Sequence, residues 1–185
     1  MKNLFWFFER IVWGIRCSYN FWLHGPYGLA KVIERIPFRY LVKFLRKYGA
    51  TIGNDCRFER GLNLHRALGK KPFENLVIGN GVYLGHNTLI DLTEKVEIKD
   101  KVIIASRCQI WTHASFYANQ NLSQPGYSEK KGAIVIEECA LVYSNVVLTH
   151  GIKVGRFSKI GASSVVINDT EPNIFYSGVP AKKIK

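Results

Sequence analysis

The stretch Ile136–Val166, IEECALVYSNVVLTHGIKVGRFSKIGASSVV, carries an aliphatic residue at every sixth position: Ile136, Val142, Leu148, Val154, Ile160 and Val166. Upstream, across a polar gap, the same step links Ile98, Ile104 and Ile110. Before a two-residue slip it links Ile78, Leu84 and Ile90. Small residues often follow the aliphatic one, as at Gly79, Gly85, Ala105, Gly155 and Gly161. A helix repeats every 3.6 residues and a half-buried strand every 2, so neither produces a beat of six. A short fixed period marks a solenoid. Each hexapeptide is a short strand and a turn, and three make one triangular coil. Coils stack as parallel strands with the aliphatic residues inside. The expected fold is mostly β, a parallel β-helix of hexapeptide repeats spanning 51–185, with an irregular first coil at 51–76.

Residues 1–50 differ in character. They hold +7 of the net charge of +12, and three of the four Trp: Trp6, Trp13 and Trp22. Tyr40, Leu41, Phe44, Leu45 and Tyr48 share one helical face, which predicts a helix over about 38–48 closed by Gly49. Residues 3–22 read as an earlier amphipathic helix, with Gly25-Pro26 and Pro37 as punctuation. Such an α-helical extension caps the open end of a β-helix and covers its unpaired edge. Its cations and aromatics also suit peripheral contact with a membrane surface through residues 1–50. The apolar run from Leu4 to Ile15 is broken by Glu9 and Arg10 and is shorter than the roughly 20 residues of a spanning helix. No small-residue cleavage site follows it, so a secretory signal is not expected. No helix-turn-helix, zinc finger or RNP-like motif accompanies the positive charge, so no nucleic acid is expected. Cys17, Cys56, Cys108 and Cys139 are widely spaced without a C-x-x-C pair. They read as reduced thiols of a cytoplasmic protein, associated with the inner face of the membrane if the extension binds lipid.

From Val77 to Lys185, about 60% of the chain, the sequence resembles the hexapeptide-repeat acyltransferases, in the galactoside/maltose/polysaccharide O-acetyltransferase branch. The matching residues are I-x-x-H at Ile110–His113, V-I-x-x-x-A at Val135–Ala140, V-G-x3-K-I-G-A-x-S-V-V at Val154–Val166, and the terminal S-G-V-P-A-K-K-I-K at Ser177–Lys185. The resemblance implies a left-handed β-helix, a homotrimer with co-substrate sites between subunits, and acetyl-CoA as donor without a metal.

Acetyl transfer to a hydroxyl needs a base for the proton and donors for the oxyanion. Histidine suits the first task because its pKa lies near working pH. His113 is the candidate. It follows the inward Ile110 by three residues, with Trp111, Phe116 and Tyr117 around it, and opens a polar loop at about 114–133. In the resembling family such a loop projects towards a neighbouring subunit. The resemblance also implies that Tyr143, Ser144, Gly161 and Ala162 line the pantetheine groove. A backbone amide near Tyr143–Ser144 serves the oxyanion there, and Lys182 and Lys185 meet the phosphate end where relatives have arginines. Trp111, Asn87 and Asp91 are the expected acceptor contacts, although Asp91 also reads as a turn cap. His150 reads as structural, and His24 and His65 carry no expected role.

The function expected from this pattern is acetyl-CoA-dependent O-acetylation of a saccharide hydroxyl, in biosynthesis of capsule, O-antigen or exopolysaccharide, with an acceptor that is free or lipid-linked. N-acetylation of an amino sugar uses the same base and fold and is the alternative within enzymes. A non-catalytic β-helix is the alternative outside them. A zinc hydratase on the same fold needs three convergent histidines, and no His lies within a few residues of His113 or His150.

Overall fold

The computed structural model describes residues 2–114 and 129–184, with side chains from Phe5 onward. Two helices lead into a three-sided coil. Helix α1 is Lys2–Ile33 and helix α2 is Phe38–Lys47. α1 is longer than the sequence suggests. Gly25 leaves helical geometry at φ 62°, ψ −156°, ahead of Pro26, so the punctuation bends the helix rather than ending it. Pro37 opens α2, and Gly49 at φ 112° follows its end.

The strands are two or three residues long and lie on three parallel sheets. The first sheet stacks β1 (Thr51–Ile52), β4 (Leu76–Ile78), β7 (Val96–Ile98), β12 (Ile134–Ile136) and β15 (Lys153–Val154). The second stacks β2 (Arg57–Phe58), β5 (Tyr83–Leu84), β8 (Ile103–Ile104), β13 (Leu141–Val142), β16 (Lys159–Ile160) and β18 (Phe175–Ser177). The antiparallel β19 (Lys182–Ile184) closes that sheet's end. The third stacks β3 (Asn63–His65), β6 (Leu89–Asp91), β9 (Gln109–Ile110), β14 (Val147–Leu148) and β17 (Val165–Val166). The first coil is therefore regular through His65, and its irregularity is confined to the residues that follow.

The inward residues of stacked strands form buried columns such as Ile52, Ile78, Ile98, Ile136 and Val154, with Leu76, Val96 and Ile134 as a second column on the same face. The amide after each inward residue points to the coil ahead: Gly53 donates to Ile78, Gly79 to Ile98, Lys99 to Ile136 and Glu137 to Val154, whereas turn amides point back, Gly81 to Asn54 and Lys101 to Asn80. The inward strand carbonyls of the first coil thus have no earlier coil to satisfy them. Arg46 of α2 meets that of Ile52, donating to it at 2.7 and 3.0 Å, and donates to the adjoining Gly53 carbonyl at 2.7 Å. The glycine following an inward aliphatic faces the corner of the next coil. A Cβ on Gly85 would come within 2.5 Å of the Ser106 nitrogen.

Coils differ in length only at the corner leading from the third sheet to the first. Val135 pairs with Lys153, one turn of three hexapeptides later. Val77 pairs with Glu97, two residues more than that, and Glu97 with Val135. The two-residue slip and the polar gap of the sequence are therefore insertions at one corner. The gap leaves and returns through a short antiparallel pair, β10 (His113–Ala114) with β11 (Lys130–Lys131). The rest of the loop expected at about 114–133, with Phe116 and Tyr117, lies at 115–128, outside the described residues.

Ile136 is fully buried mid-column, so Ile136→Ala should destabilise the fold by about 2–5 kcal/mol, the usual cost of such a cavity. Urea unfolding measures it, and a loss below about 1 kcal/mol would contradict a tightly filled prism.

Candidate active site

The insertion corner gathers the site. His65, Asp91 and Trp111 follow the inward residues Leu64, Ile90 and Ile110 on stacked coils, with His65 directly paired to Asp91. The two extra residues of the next corner carry Thr93 beside Asp91. The loop stem holds His113 over them, its backbone paired with Lys131.

His113 Nδ1 lies 2.6 Å from Asp91 Oδ2 and 3.1 Å from Thr93 Oγ1. The Asp91 side chain is wholly buried and that of His113 is 8% exposed. The Thr112 amide donates to Asp91 Oδ2 at 3.0 Å, and the Thr112 hydroxyl donates to the same oxygen. The Thr93 hydroxyl donates to Oδ1 at 2.9 Å. Burial alone would push the Asp91 carboxyl up. Hydrogen bonds from Thr112, His113 and Thr93 outweigh it and hold the group below the ordinary carboxylate range. Asp91 is thus an anion at neutral pH. A nitrogen 2.6 Å from an anion carries the proton, so Nδ1 is the N–H and Nε2 bears the lone pair.

One acceptor expectation changes. Asp91 has no surface to offer a substrate, because the coil above and its own corner enclose it. Its carboxylate is engaged with His113 instead. Asn87 stands in the turn between β5 and β6, at the corner that carries Ser144, where it lines a shallow cleft with Ser106, Arg107, Ser144 and Asn145. Within one chain it is on the far side of the third sheet from His113. Trp111 does lie beside His113, edge-on at 6.4 Å between ring centroids. His65, to which the sequence reading gave no role, stacks on His113 at 5.9 Å with the rings 8° from parallel. The signal that would have found it is the column: Leu64 precedes His65 as Ile90 precedes Asp91, one long coil earlier.

His65, Asp91 and His113 also place potential metal-ligand atoms within 4.8 Å of one another. Their geometry favours proton handling. The two rings are nearly parallel, so their in-plane lone pairs do not converge. The Asp91 oxygen facing His113 is already taken by Nδ1 and Thr112.

The co-substrate candidates form a second group, at the corner between the second and third sheets. Tyr143, Gly161 and Ser177 stack on successive coils, and Ser177 pairs with Lys182 of β19. Ser144 and Ala162 sit beside them in the same turns. A Cβ on Gly161 would come within 2.6 Å of Ser177 Oγ, so a larger residue there must displace that side chain. The Tyr143 amide donates to the Ile160 carbonyl and the Asn145 amide to Ser106, so neither is available for an oxyanion. Lys185 lies outside the described residues. Within one chain the third sheet separates this corner from His113. Cys108 lies beneath this corner, its thiol donating to the Tyr143 carbonyl at 3.1 Å. Burial pushes it and Cys17 each up to about 11.

Burial and the positive charges around His65 lower its pKa from the ordinary value, against the opposing pull of Asp91. The folded chain therefore binds a proton at His65 less readily than the unfolded chain. Its contribution to stability falls as pH drops below about 6.5. Between about pH 7.5 and 5.5 the wild-type melting temperature should fall further than that of His65→Asn. Equal falls would mean that the stack does not disfavour a charged His65.

No family model matches the chain. A chloramphenicol acetyltransferase of Klebsiella aerogenes is 33% identical over 108 residues, covering 46% of this chain and 51% of that protein. The galactoside O-acetyltransferase of Escherichia coli (strain K12) is 32% identical over 113 residues, covering 60% of this chain and 54% of that protein. The chain spans about half the length of these curated relatives. In fold, it resembles a hexapeptide-repeat acetyltransferase from Vibrio cholerae O1 biovar eltor, solved with acetyl coenzyme A, with a TM-score of 0.71 and 20% identity over 84% of each chain. By its six-residue repeat, its three-sided coil and these likenesses, the chain has the left-handed β-helix fold of the hexapeptide-repeat acetyltransferases.

Proposed function

We propose that the protein transfers an acetyl group from acetyl-CoA to a saccharide hydroxyl, with His113 as the general base. The observation that carries this reading is the pair of Asp91 and His113, 2.6 Å apart. A buried carboxylate that accepts the Nδ1 proton fixes one tautomer and stabilises the imidazolium that forms. Nε2 takes the proton from the acceptor as its oxygen attacks the thioester carbon. The tetrahedral oxyanion needs an N–H donor, and the thiolate leaves as free coenzyme A after His113 returns the proton.

Tyr143, Ser144, Gly161, Ala162 and Lys182 form the donor side in this proposal. With the Tyr143 and Asn145 amides committed to the ladder, the Ser144 amide is the oxyanion donor we assign at that turn. Because the third sheet separates this corner from His113, a complete site takes one corner from each of two subunits. We infer the homotrimer that the family resemblance implies. The acceptor approaches past Trp111 and His65, towards a cleft of about 560 Å³ between α1 and the first coil. Tyr27, Asn63 and His65 line it and offer the aromatic and polar groups that sugars use. A cytoplasmic location, with acetyl-CoA and reduced thiols, belongs to the same proposal, as does a place in surface-polysaccharide synthesis.

Acceptor-dependent release of free thiol from acetyl-CoA, across a panel of free and lipid-linked saccharides, tests the reading. His113→Ala should lose roughly 10²–10⁴-fold in rate. Asp91→Asn should lose at least about tenfold, because an amide N–H facing Nδ1 favours the tautomer with its proton on Nε2. Near-wild-type transfer by His113→Ala in a clean preparation would overturn the assignment.

A further inference from the structure

Before its bend at Gly25, α1 has two apolar faces. One is satisfied within the chain. Cys17 is fully buried, and Phe21 packs edge-on against Tyr48 of the α2 end at 5.5 Å. The other faces solvent: Phe5, Phe8, Val12, Ile15, Tyr19 and Trp22, spaced alternately three and four residues apart. They are 47–78% exposed. Chain-internal packing needs only the first face. A second stripe with this spacing is a surface that meets something apolar.

Its charge says what. Glu9 is the only acidic residue in positions 1–33, and it is consumed by Arg39 at 2.9 Å and the Tyr40 hydroxyl at 3.2 Å. The stripe therefore has no negative charge to offer. The cation at its edge is Arg16, one turn from both Val12 and Tyr19, whose guanidinium lies over the Trp13 ring at 5.1 Å. Arg10 stands on the opposite side of the helix, in line with Cys17, with its guanidinium over the Phe7 ring at 5.4 Å. No helix among the described residues is long and apolar enough to cross a membrane. A second copy is a poor match for the stripe. Pairing two such helices would bring together the arginines of both with no free carboxylate between them.

We propose that the first segment of α1 lies in the interface of an anionic lipid bilayer. The Phe5-to-Trp22 stripe would enter the acyl boundary, with Arg16 at the headgroup phosphates. Aromatic rings favour that depth, and long cationic side chains reach from it to the phosphates. This surface is independent of the acetyl-transfer reading, and its test does not use activity.

The full chain is floated with vesicles of phosphatidylcholine alone or mixed about 3:1 with phosphatidylglycerol. The bound fraction should be at least about tenfold higher on the anionic vesicles and should fall with salt. The variant Phe8→Ser/Ile15→Ser/Trp22→Ser should lose binding about tenfold with an unchanged melting temperature. Arg16→Glu should lower the preference for anionic lipid. Should the triple variant fold poorly, Trp22→Phe provides a second readout: quenching of tryptophan emission by brominated lipid should drop. Wild type remaining unbound on both vesicles would overturn the proposal, as would a well-folded triple variant floating like wild type. Absence of flotation, with a lipid-free assembly that shrinks in the triple variant, would assign the stripe to a second copy instead.

Discussion

The amide after each inward residue donates to the carbonyl of the inward residue of the coil that follows, turn amides donate back, and buried aliphatic columns fill the space between. That ladder sets the terms for the rest of the molecule. Two or three residues per strand are too few to stand alone, so each strand exists only as a rung between neighbours. A coil that gains residues cannot absorb them along a face without moving an inward side chain out. The extra residues must leave at a corner, and here they leave at one corner only.

That constraint builds the site. The two-residue insertion after Asp91 supplies Thr93, and the long insertion after Ile110 supplies His113 on a paired stem. Because coils are stacked in register, the two insertions meet although they are twenty residues apart. The coil stacking also removes Asp91 from water. A buried carboxylate without partners would take up a proton. This one has donors from Thr112, Thr93 and His113, so it stays charged and fixes the imidazole. Insertion, burial and tautomer are consequences of the same geometry.

The ladder leaves two unlike ends. The first coil has strand carbonyls with no coil before them, and the basic α2 answers that of Ile52, with the adjoining Gly53 carbonyl, through Arg46. At the far end β19 folds back antiparallel against β18, which carries Lys182 to the edge where Tyr143 and Gly161 already stand. The helical segment thus does more than cover an edge. α1 borders the cleft beside His65 and presents an apolar stripe that the coil does not use.

The sequence by itself determined the coil. The beat of six, with glycine where the next coil's corner leaves no room for a Cβ, has no other structural solution. It also marked His113, because a histidine where the beat breaks sits at a corner, and it grouped Tyr143, Gly161 and Lys182 through motifs that stack directly. Only the tertiary structure decided the partners of His113. Periodicity fixes which residues point inward, whereas register across coils of unequal length fixes which corner residues meet. The slip and the gap were legible in the sequence, but strand pairing placed both at one corner. Asp91 accordingly changed from a sugar contact to the buried anion behind His113, and His65 entered the cluster. The separation of His113 from the Ser144 turn is likewise a property of the closed prism, since one face of parallel strands stands between the two corners.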